Sequence, residues 1–452
     1  MTGPMTRLFL PLLVLSSACR SPDPEEDTPV PPWPDWAHKH WVWEDESTQD
    51  SAMALVDGYL DRDIEVGAII IDSPWATGYN TFDWDTELFP DPQGMIDAMH
   101  DRDVRVFLWV VPAINIDEKE LYAEAADLGY FMQKDADSGP AVIDWWKGQG
   151  SLIDYFNPEA VEWWHRLVDK SLDMGIDGWK CDGLDFSALL APYSPGAGRE
   201  VDRLEYSHAY YQDFHDYTRE VLGDDRLITA RPIDNYGSSV GGDGVAFSPI
   251  DILWAGWVGD QDATFAGLKA ALENMYESSE YGYVSFGSDI GGYREDDTYP
   301  QGRGKNLFLR WAQLGALNPV MENGGGGDHH PWAWDDETVD IYRQFVRLHH
   351  DLHPYLQEHG AIAFEEGGSL MTFEDDIDYA FTLGPDIFVW PLLDDVTEVT
   401  VTLPEDGDWS YVFRSAVHPG GSDVTLDVPL DEFPVFVRVG SEADALLQGY
   451  RR

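Results

Sequence analysis

Short apolar runs recur along the chain, separated by amphipathic stretches. Eight of these runs predict strands: Trp41–Trp43, Ala68–Asp72, Arg105–Val111, Asp177–Cys181, Leu227–Ala230, Ile252–Ala255, Val284–Ser288 and Pro319–Val320. A further run lies at Leu152–Tyr155. Between them a helical period covers Ser51–Leu60, Gln93–Asp101, Glu118–Leu128, Pro158–Met174, Tyr206–Leu222, Ala263–Tyr276 and Asn306–Leu317. Asn157-Pro158-Glu159 is the clearest helix start. Asn caps free amides, Pro suits the first helical position, and Glu complements the positive helix end. Strand–helix alternation repeated this often predicts an α/β fold, a (β/α)8 TIM barrel. An open doubly wound sheet is the alternative, but no Gly-rich dinucleotide or phosphate loop follows an early strand.

A last helix is expected over Thr338–Leu352, stopped by Pro354. Beyond it the period changes from helical to alternating. Short runs at Ser369–Phe373, Tyr379–Leu383, Ile387–Trp390, Glu398–Leu403, Trp409–Phe413, Val424–Val428 and Val435–Val439 are separated by turn signals. They predict a small antiparallel β-sandwich over 366–452, behind a barrel over 38–365.

The amino terminus has a different texture. Arg7, the apolar run Leu8–Leu15 and Ser16-Ser17-Ala18 predict a signal peptide over 1–18, too short to span a bilayer. Small residues directly before Cys19 predict a lipidation site; ordinary signal cleavage is the alternative. Residues 19–37, rich in Pro and acid at their start, are expected to be a tether. The expected location is therefore exported and membrane-anchored through lipid, periplasmic or at the cell surface, and otherwise secreted. The other cysteine, Cys181, has no partner in a lipidated chain.

The length of 452 residues accommodates a barrel of about 250–300 residues and an accessory module. With 28 basic against 84 acidic residues, the net charge is −56. Such a chain repels a nucleic-acid backbone and cannot dock on anionic lipid through a basic patch. Aromatics reach 13%, with 19 Trp, which fits either a Trp-rich core or the flat faces of a sugar-binding cleft.

Barrel chemistry sits at the carboxyl ends of the strands. Four expected strand ends carry an Asp: Asp72, Asp182, Asp260 and Asp289. One such Asp is an ordinary helix cap. Four on one rim are costly unless a polyhydroxyl ligand or cations engage them, and two carboxylates of different acidity are what glycosidic cleavage requires. His329 and His330 fit no zinc-binding spacing, and no nucleophile elbow supports a Ser–His–Asp hydrolase. Cys181, as a strand neighbour of Asp182, points into the barrel wall and is read as structural.

Several motifs, in order from Trp41 to Val439, resemble glycoside hydrolase family 31. Ile69-Ile70-Ile71-Asp72-Ser73-Pro74-Trp75 with Phe89-Pro90-Asp91-Pro92 looks like its second strand and loop. Val106–Pro112 is similar to its third strand, and Asn157-Pro158-Glu159 with Trp163-Trp164 to its helix start. Gly175–Asp182 looks like the nucleophile box and Trp257-Val258-Gly259-Asp260 like the acid/base box. Ser288–Tyr293 and Leu309-Arg310-Trp311 are also similar to family motifs.

The resemblance implies a retaining α-glycosidase that uses no cofactor and acts on an oligosaccharide or glycoside. Asp182 would be the nucleophile and Asp260 the acid/base, ~5–5.5 Å apart. Lys180 would keep Asp182 ionised and bind a hydroxyl. Asp72 and Asp289 would accept sugar hydroxyls, Arg231 would pair with a carboxylate or the sugar, and Trp109 and Trp257 would form an apolar floor. The chain departs from the family at Gly183-Leu184-Asp185, at Val258, and at Glu322, which stands where the family has Arg. His329 or His330 would take the place of the family's His. The four glycines Gly324–Gly327 are expected either to bring backbone close to a ligand or to form a mere surface linker. α-Glucosides, α-xylosides and α-galactosides all remain open as substrates. The alternative function is a catalytically silent carbohydrate-binding surface lipoprotein.

Overall fold

The computed structural model describes residues 29–183, 193–234, 245–246, 248–373 and 379–452. The expected signal peptide and lipidated Cys19 lie outside them, as does Asp185. The eight barrel strands are β1 (His40–Glu44), β2 (Ala68–Ile71), β3 (Arg105–Val110), β4 (Gly178–Cys181), β5 (Leu227–Thr229), β6 (Gly256–Trp257), β7 (Phe286–Gly287) and β8 (Met321–Asn323). They pair in parallel in the order β5-β4-β3-β2-β1-β8, with β6 on β7. A bridge from Ala230 to Gly256 joins β5 to β6, and the Ile290 amide donates to the Glu322 carbonyl, linking the β7 end to β8.

Alternation along each strand feeds two cores. Trp41, Trp43, Ile70 and Phe107 point into the barrel, while Val42, Ile69, Ile71, Val106 and Leu108 pack against the helical layer. That layer contains α1 (Gln49–Leu60), α2 (Pro92–His100), α3 (Lys119–Leu128), α4 (Pro158–Leu172), α5 (Arg203–Leu222), α6 (Phe265–Glu280), α7 (Lys305–Gly315) and α8 (Asp336–Glu365). Helix α4 starts as its sequence dictates: the Asn157 side chain accepts from the Glu159 amide at 3.0 Å, and Pro158 follows. Its face of Ala160, Trp163, Trp164 and Val168 is buried.

Four sequence expectations need correction. The sixth strand lies just beyond Ile252–Ala255. Those apolar residues instead form a turn at the barrel's lower end, where Trp254 packs on Trp33 and His215. Burial alone does not distinguish a strand from a packed turn. The eighth strand begins after Pro319, whose carbonyl is taken by the His38 Nδ1 at 2.8 Å. Pro354 does not stop α8, which continues to Glu365. Burial of Tyr355, Leu356 and Ala361, with the Tyr355 hydroxyl on the Leu383 carbonyl, offsets the ~3 kcal/mol that an interior proline costs. Finally, the expected tether is partly core: Trp33, Trp36 and Ala37 are buried and close the barrel's lower end, Trp36 against Trp41 and Phe107.

The carboxy-terminal unit is antiparallel throughout. One sheet runs 371–373, 381–383, 387–389, 435–438, 408–411, 417–419, and 398–402 pairs separately with 423–427. The strand Val417–Pro419 was not expected from the sequence. Among the described residues no helix is long and apolar enough to cross a membrane.

Candidate active site

Successive inward positions bring the chemistry to one end of the barrel. On β4, Trp179 and Cys181 face the helices, while Lys180 and the following Asp182 face inward. Cys181 is fully buried, and burial pushes its thiol well above its usual range. Asp72 follows β2 in the same inward register, and Arg231 follows β5. With Asp260, beyond β6, these residues line a cavity of about 360 Å³.

Arg231 organises it. Its Nε donates to Asp182 Oδ1 at 3.2 Å and its Nη2 to Asp260 Oδ1 at 2.8 Å. Two strand-end carboxylates are thus within the span of one guanidinium. Trp109 Nε1 donates to the other Asp182 oxygen at 3.3 Å. Burial acts against the Asp182 anion, but Arg231 and Lys180 outweigh it and hold the carboxyl below its ordinary value. The Asp182 side chain is 11% exposed and that of Asp260 28%.

A second ion pair lies deeper. Lys180 Nζ donates to Asp72 Oδ2 at 2.9 Å and sits 3.4 Å above the Trp43 ring. Burial works against this ammonium, yet Asp72, Asp289 and Glu322 hold it above its usual value. Burial raises Asp72 to about 6, against the pull of Lys180. Asp289 and Glu322 are fully buried, and neither carboxyl has a hydrogen-bond partner among the described residues. Burial raises Glu322 to about 7, and burial reinforced by Glu322 raises Asp289 well above its ordinary value.

Of the expected site residues, the structure brings Asp72, Trp109, Lys180, Asp182, Arg231 and Asp260 to the cavity wall. It does not bring Asp289, Trp257, His329 or His330 there. Asp289 lies beneath the surface. Trp257 is also buried, its ring 5.1 Å from Lys180 Nζ and 4.8 Å from the Arg231 guanidinium carbon, so it underlies the two cations and does not floor the pocket. His329 is buried with both ring nitrogens at carbonyls, Ile290 at 3.2 Å and Gly326 at 3.0 Å. Those contacts fold the glycine loop and leave no ring nitrogen for a sugar. His330 stacks on Trp332, which packs on Tyr59 and Arg62 of the helical layer. The glycines do serve a close approach, but to protein: a Cβ at Gly324 would sit 2.2 Å from the Trp43 ring.

Trp43, Asp45, Ser73, Trp146, Lys147, Tyr293 and Arg294 also line the cavity. Trp43 stacks on Tyr293, whose hydroxyl donates to Asp45 at 2.9 Å. The strand-end rule reaches Trp43 and Asp45 once it is applied to polar and aromatic residues of the first strand. Trp146 and Lys147 arrive on the tip of a hairpin between strands Ile143–Trp145 and Gly148–Leu152, for which the strand pattern gave no signal.

The family 31 glycosyl hydrolase TIM-barrel domain matches residues 30–359, and the family's C-terminal domain matches 369–441. An α-xylosidase of Lactiplantibacillus pentosus is 26% identical over 90% of this chain and 54% of its own length. The sulfoquinovosidase of Escherichia coli strain K12 is 26% identical over 80% of this chain and 54% of its own. The chain spans about half the length of these curated relatives. A soil-metagenome α-xylosidase complexed with xylose superposes with a TM-score of 0.78 at 22% identity, covering 93% of this chain and 65% of that one. A Flavobacterium johnsoniae dextranase complexed with glucose superposes at 0.79 and 21%, covering 92% and 53%. The matched domains run in order along most of the sequence, and the chain belongs to glycosyl hydrolase family 31.

Proposed function

We propose that this chain is a retaining α-glycosidase, with Asp182 as nucleophile and Asp260 as general acid and base. The observation that carries the reading is Arg231, whose single guanidinium engages both carboxylates in one cavity. Asp182, held ionised by Arg231 and Lys180, attacks the anomeric carbon while the glycosidic C–O bond breaks and Asp260 gives its proton to the departing oxygen. Water then attacks the anomeric carbon of the glycosyl ester. Asp260 takes its proton, and the ester bond to Asp182 breaks. Two inversions leave the anomeric configuration unchanged. Trp109 fixes one Asp182 oxygen and leaves the carboxylate oriented. Asp72, tied to Lys180 and at the wall, accepts a sugar hydroxyl.

α-Glucosides, α-xylosides and α-galactosides are the substrates to try, and the α-xylosidase among the relatives puts xylosides first. Export and lipid attachment through Cys19 belong to the same proposal, as does catalysis without a cofactor. The test is a panel of chromogenic α-glycosides on purified protein, with the product anomer followed by NMR. Hydrolysis with retention is expected. Inversion would remove Asp182 from its role. Sugar binding without any turnover would favour the silent lipoprotein.

A further inference from the structure

The chain carries 84 acidic and 28 basic residues, three acids for every base. The cavity wall departs from that ratio. Its described charged residues are four cations, Lys147, Lys180, Arg231 and Arg294, and four carboxylates, Asp45, Asp72, Asp182 and Asp260. Lys180 and Arg231 lie deep and are committed to Asp72 and to the Asp182–Asp260 pair. The other two stand at the mouth. Arg294 is half exposed, donates to the Asp260 backbone carbonyl, and reaches the Asp262 carboxylate only at 3.5 Å. Lys147 is exposed at its hairpin tip, and its ammonium has no partner among the described residues. Beside it Trp146, 49% exposed, offers an indole face braced edge-on by Trp145.

The glycosidase reading gives these cations a direction. Asp260 must carry its proton when the leaving group departs, and in that form cations outnumber carboxylates in this wall. The leaving group lies on the Asp260 side, and Asp260 is more exposed than Asp182, so the leaving group faces the mouth. We infer that the leaving-group side of the cavity takes an acidic unit, a carboxylate- or sulfonate-bearing sugar or aglycone, recognised by Lys147 and Arg294 with Trp146 as the stacking face. This rests on the glycosidase reading and names its substrate class. Arg's planar fork suits an oxyanion, and an aromatic ring suits the flat face of a sugar or arene.

The test uses pairs of aryl α-glycosides whose phenols are matched in acidity. One member bears a ring carboxylate or sulfonate and the other the corresponding amide. kcat/KM is measured on each glycone that the protein hydrolyses, and affinity for α-xyloside and α-glucoside pairs is measured by calorimetry on the Asp182→Asn protein. The anionic member is expected to lead by about threefold to tenfold at low salt, the range of one or two exposed ion pairs. The lead should shrink in about 0.5 M salt. It should reverse in Lys147→Glu and Arg294→Glu. Comparison of the carboxylate and sulfonate arms tells which oxyanion is preferred. Equal handling of charged and neutral members, or a ratio unmoved by both charge reversals, overturns the inference while neutral turnover leaves the glycosidase reading intact. If nothing is hydrolysed the glycosidase reading falls, and calorimetry decides the anion preference alone; no binding of either member overturns that too.

Discussion

The two ends of the barrel bury titratable groups in opposite ways. At the lower end His38, His40 and His349 are enclosed by Trp33, Trp36 and α8, and each Nδ1 meets a backbone carbonyl, of Pro319, Glu65 and Ala316. Burial depresses them to about 3, 4 and 4, so they are neutral and need no counter-charge. At the upper end Asp72, Asp182, Asp289 and Glu322 surround Lys180 and Arg231. Here charge is answered by charge, and two carboxyls have no hydrogen-bond partner among the described residues. The lower end is arranged for stability near neutral pH. On the proposed function, the upper end gives up stability to keep Asp182 ionised beside Asp260.

Removing the proposed nucleophile, Asp182, breaks this comparison most severely. Asp182→Asn should lower kcat by about four orders of magnitude or more on activated and unactivated glycosides alike. Its thermal midpoint should stay within a few degrees of the parent, because Arg231 keeps its ion pair with Asp260 at 2.8 Å. Near-normal turnover of an aryl glycoside by this variant would remove Asp182 from its role.

Asp260→Ala should cost about 10²–10⁴-fold on poor leaving groups and far less on activated phenols, which need little protonation. Azide should restore turnover and yield a glycosyl azide of retained configuration. Equal losses on both classes with no azide product would assign the residue to structure.

The lower end sharpens the contrast through pH. A histidine whose native value lies below its unfolded 6.5 binds its proton more readily in the unfolded chain. Its contribution is intact above pH 6.5 and is lost as the pH falls toward the native value, by up to about 1.4 kcal/mol per pH unit for each imidazole. His349→Asn keeps a donor for the Ala316 carbonyl and cannot protonate. Denaturation between pH 7 and 5 should therefore show a shallower loss in the variant, with kcat/KM unchanged. An identical slope would mean that His349 does not titrate with unfolding.

How far the sequence carried differs between these ends. The inward register of Asp72, Lys180 and Asp182 was readable because a strand alternates faces and barrel chemistry lies at strand ends. The C-terminal alternation gave seven of the antiparallel strands for the same reason. Three kinds of contact were not readable. Trp33 and Trp36 follow a Pro- and acid-rich stretch, so their packing is invisible to local periodicity. His329 and His330 adjoin a loop whose path is fixed by Arg303, which donates to the Gly326 and Asp328 carbonyls from a distant segment. Lys147 reaches the cavity through a hairpin that no barrel rule anticipates. In the first two cases the deciding contact joins residues remote in sequence.

The smallest expected effect concerns Glu322, on β8. It is fully buried, and its native value of about 7 lies above an ordinary 4.5. A carboxyl raised on folding binds its proton more tightly in the native chain. Its contribution to stability is therefore present below pH 4.5 and declines as the pH rises through about 7. Glu322→Gln removes that decline. Lys180 loses one of its surrounding anions but keeps Asp72 at 2.9 Å, which offsets part of the gain. The net expectation is a variant about 1 kcal/mol more stable than the parent at pH 8 and equal to it at pH 4.5. Since Arg231 and Lys180, not Glu322, hold Asp182 ionised, the acid limb of the kcat/KM profile should stay in place. Chemical denaturation at the two pH values, with a pH–rate profile alongside, checks both parts. A variant less stable at pH 8 would show that the ionised Glu322 contributes more by holding Lys180 than its burial costs, so that the upper end would be stabilised by its anions after all.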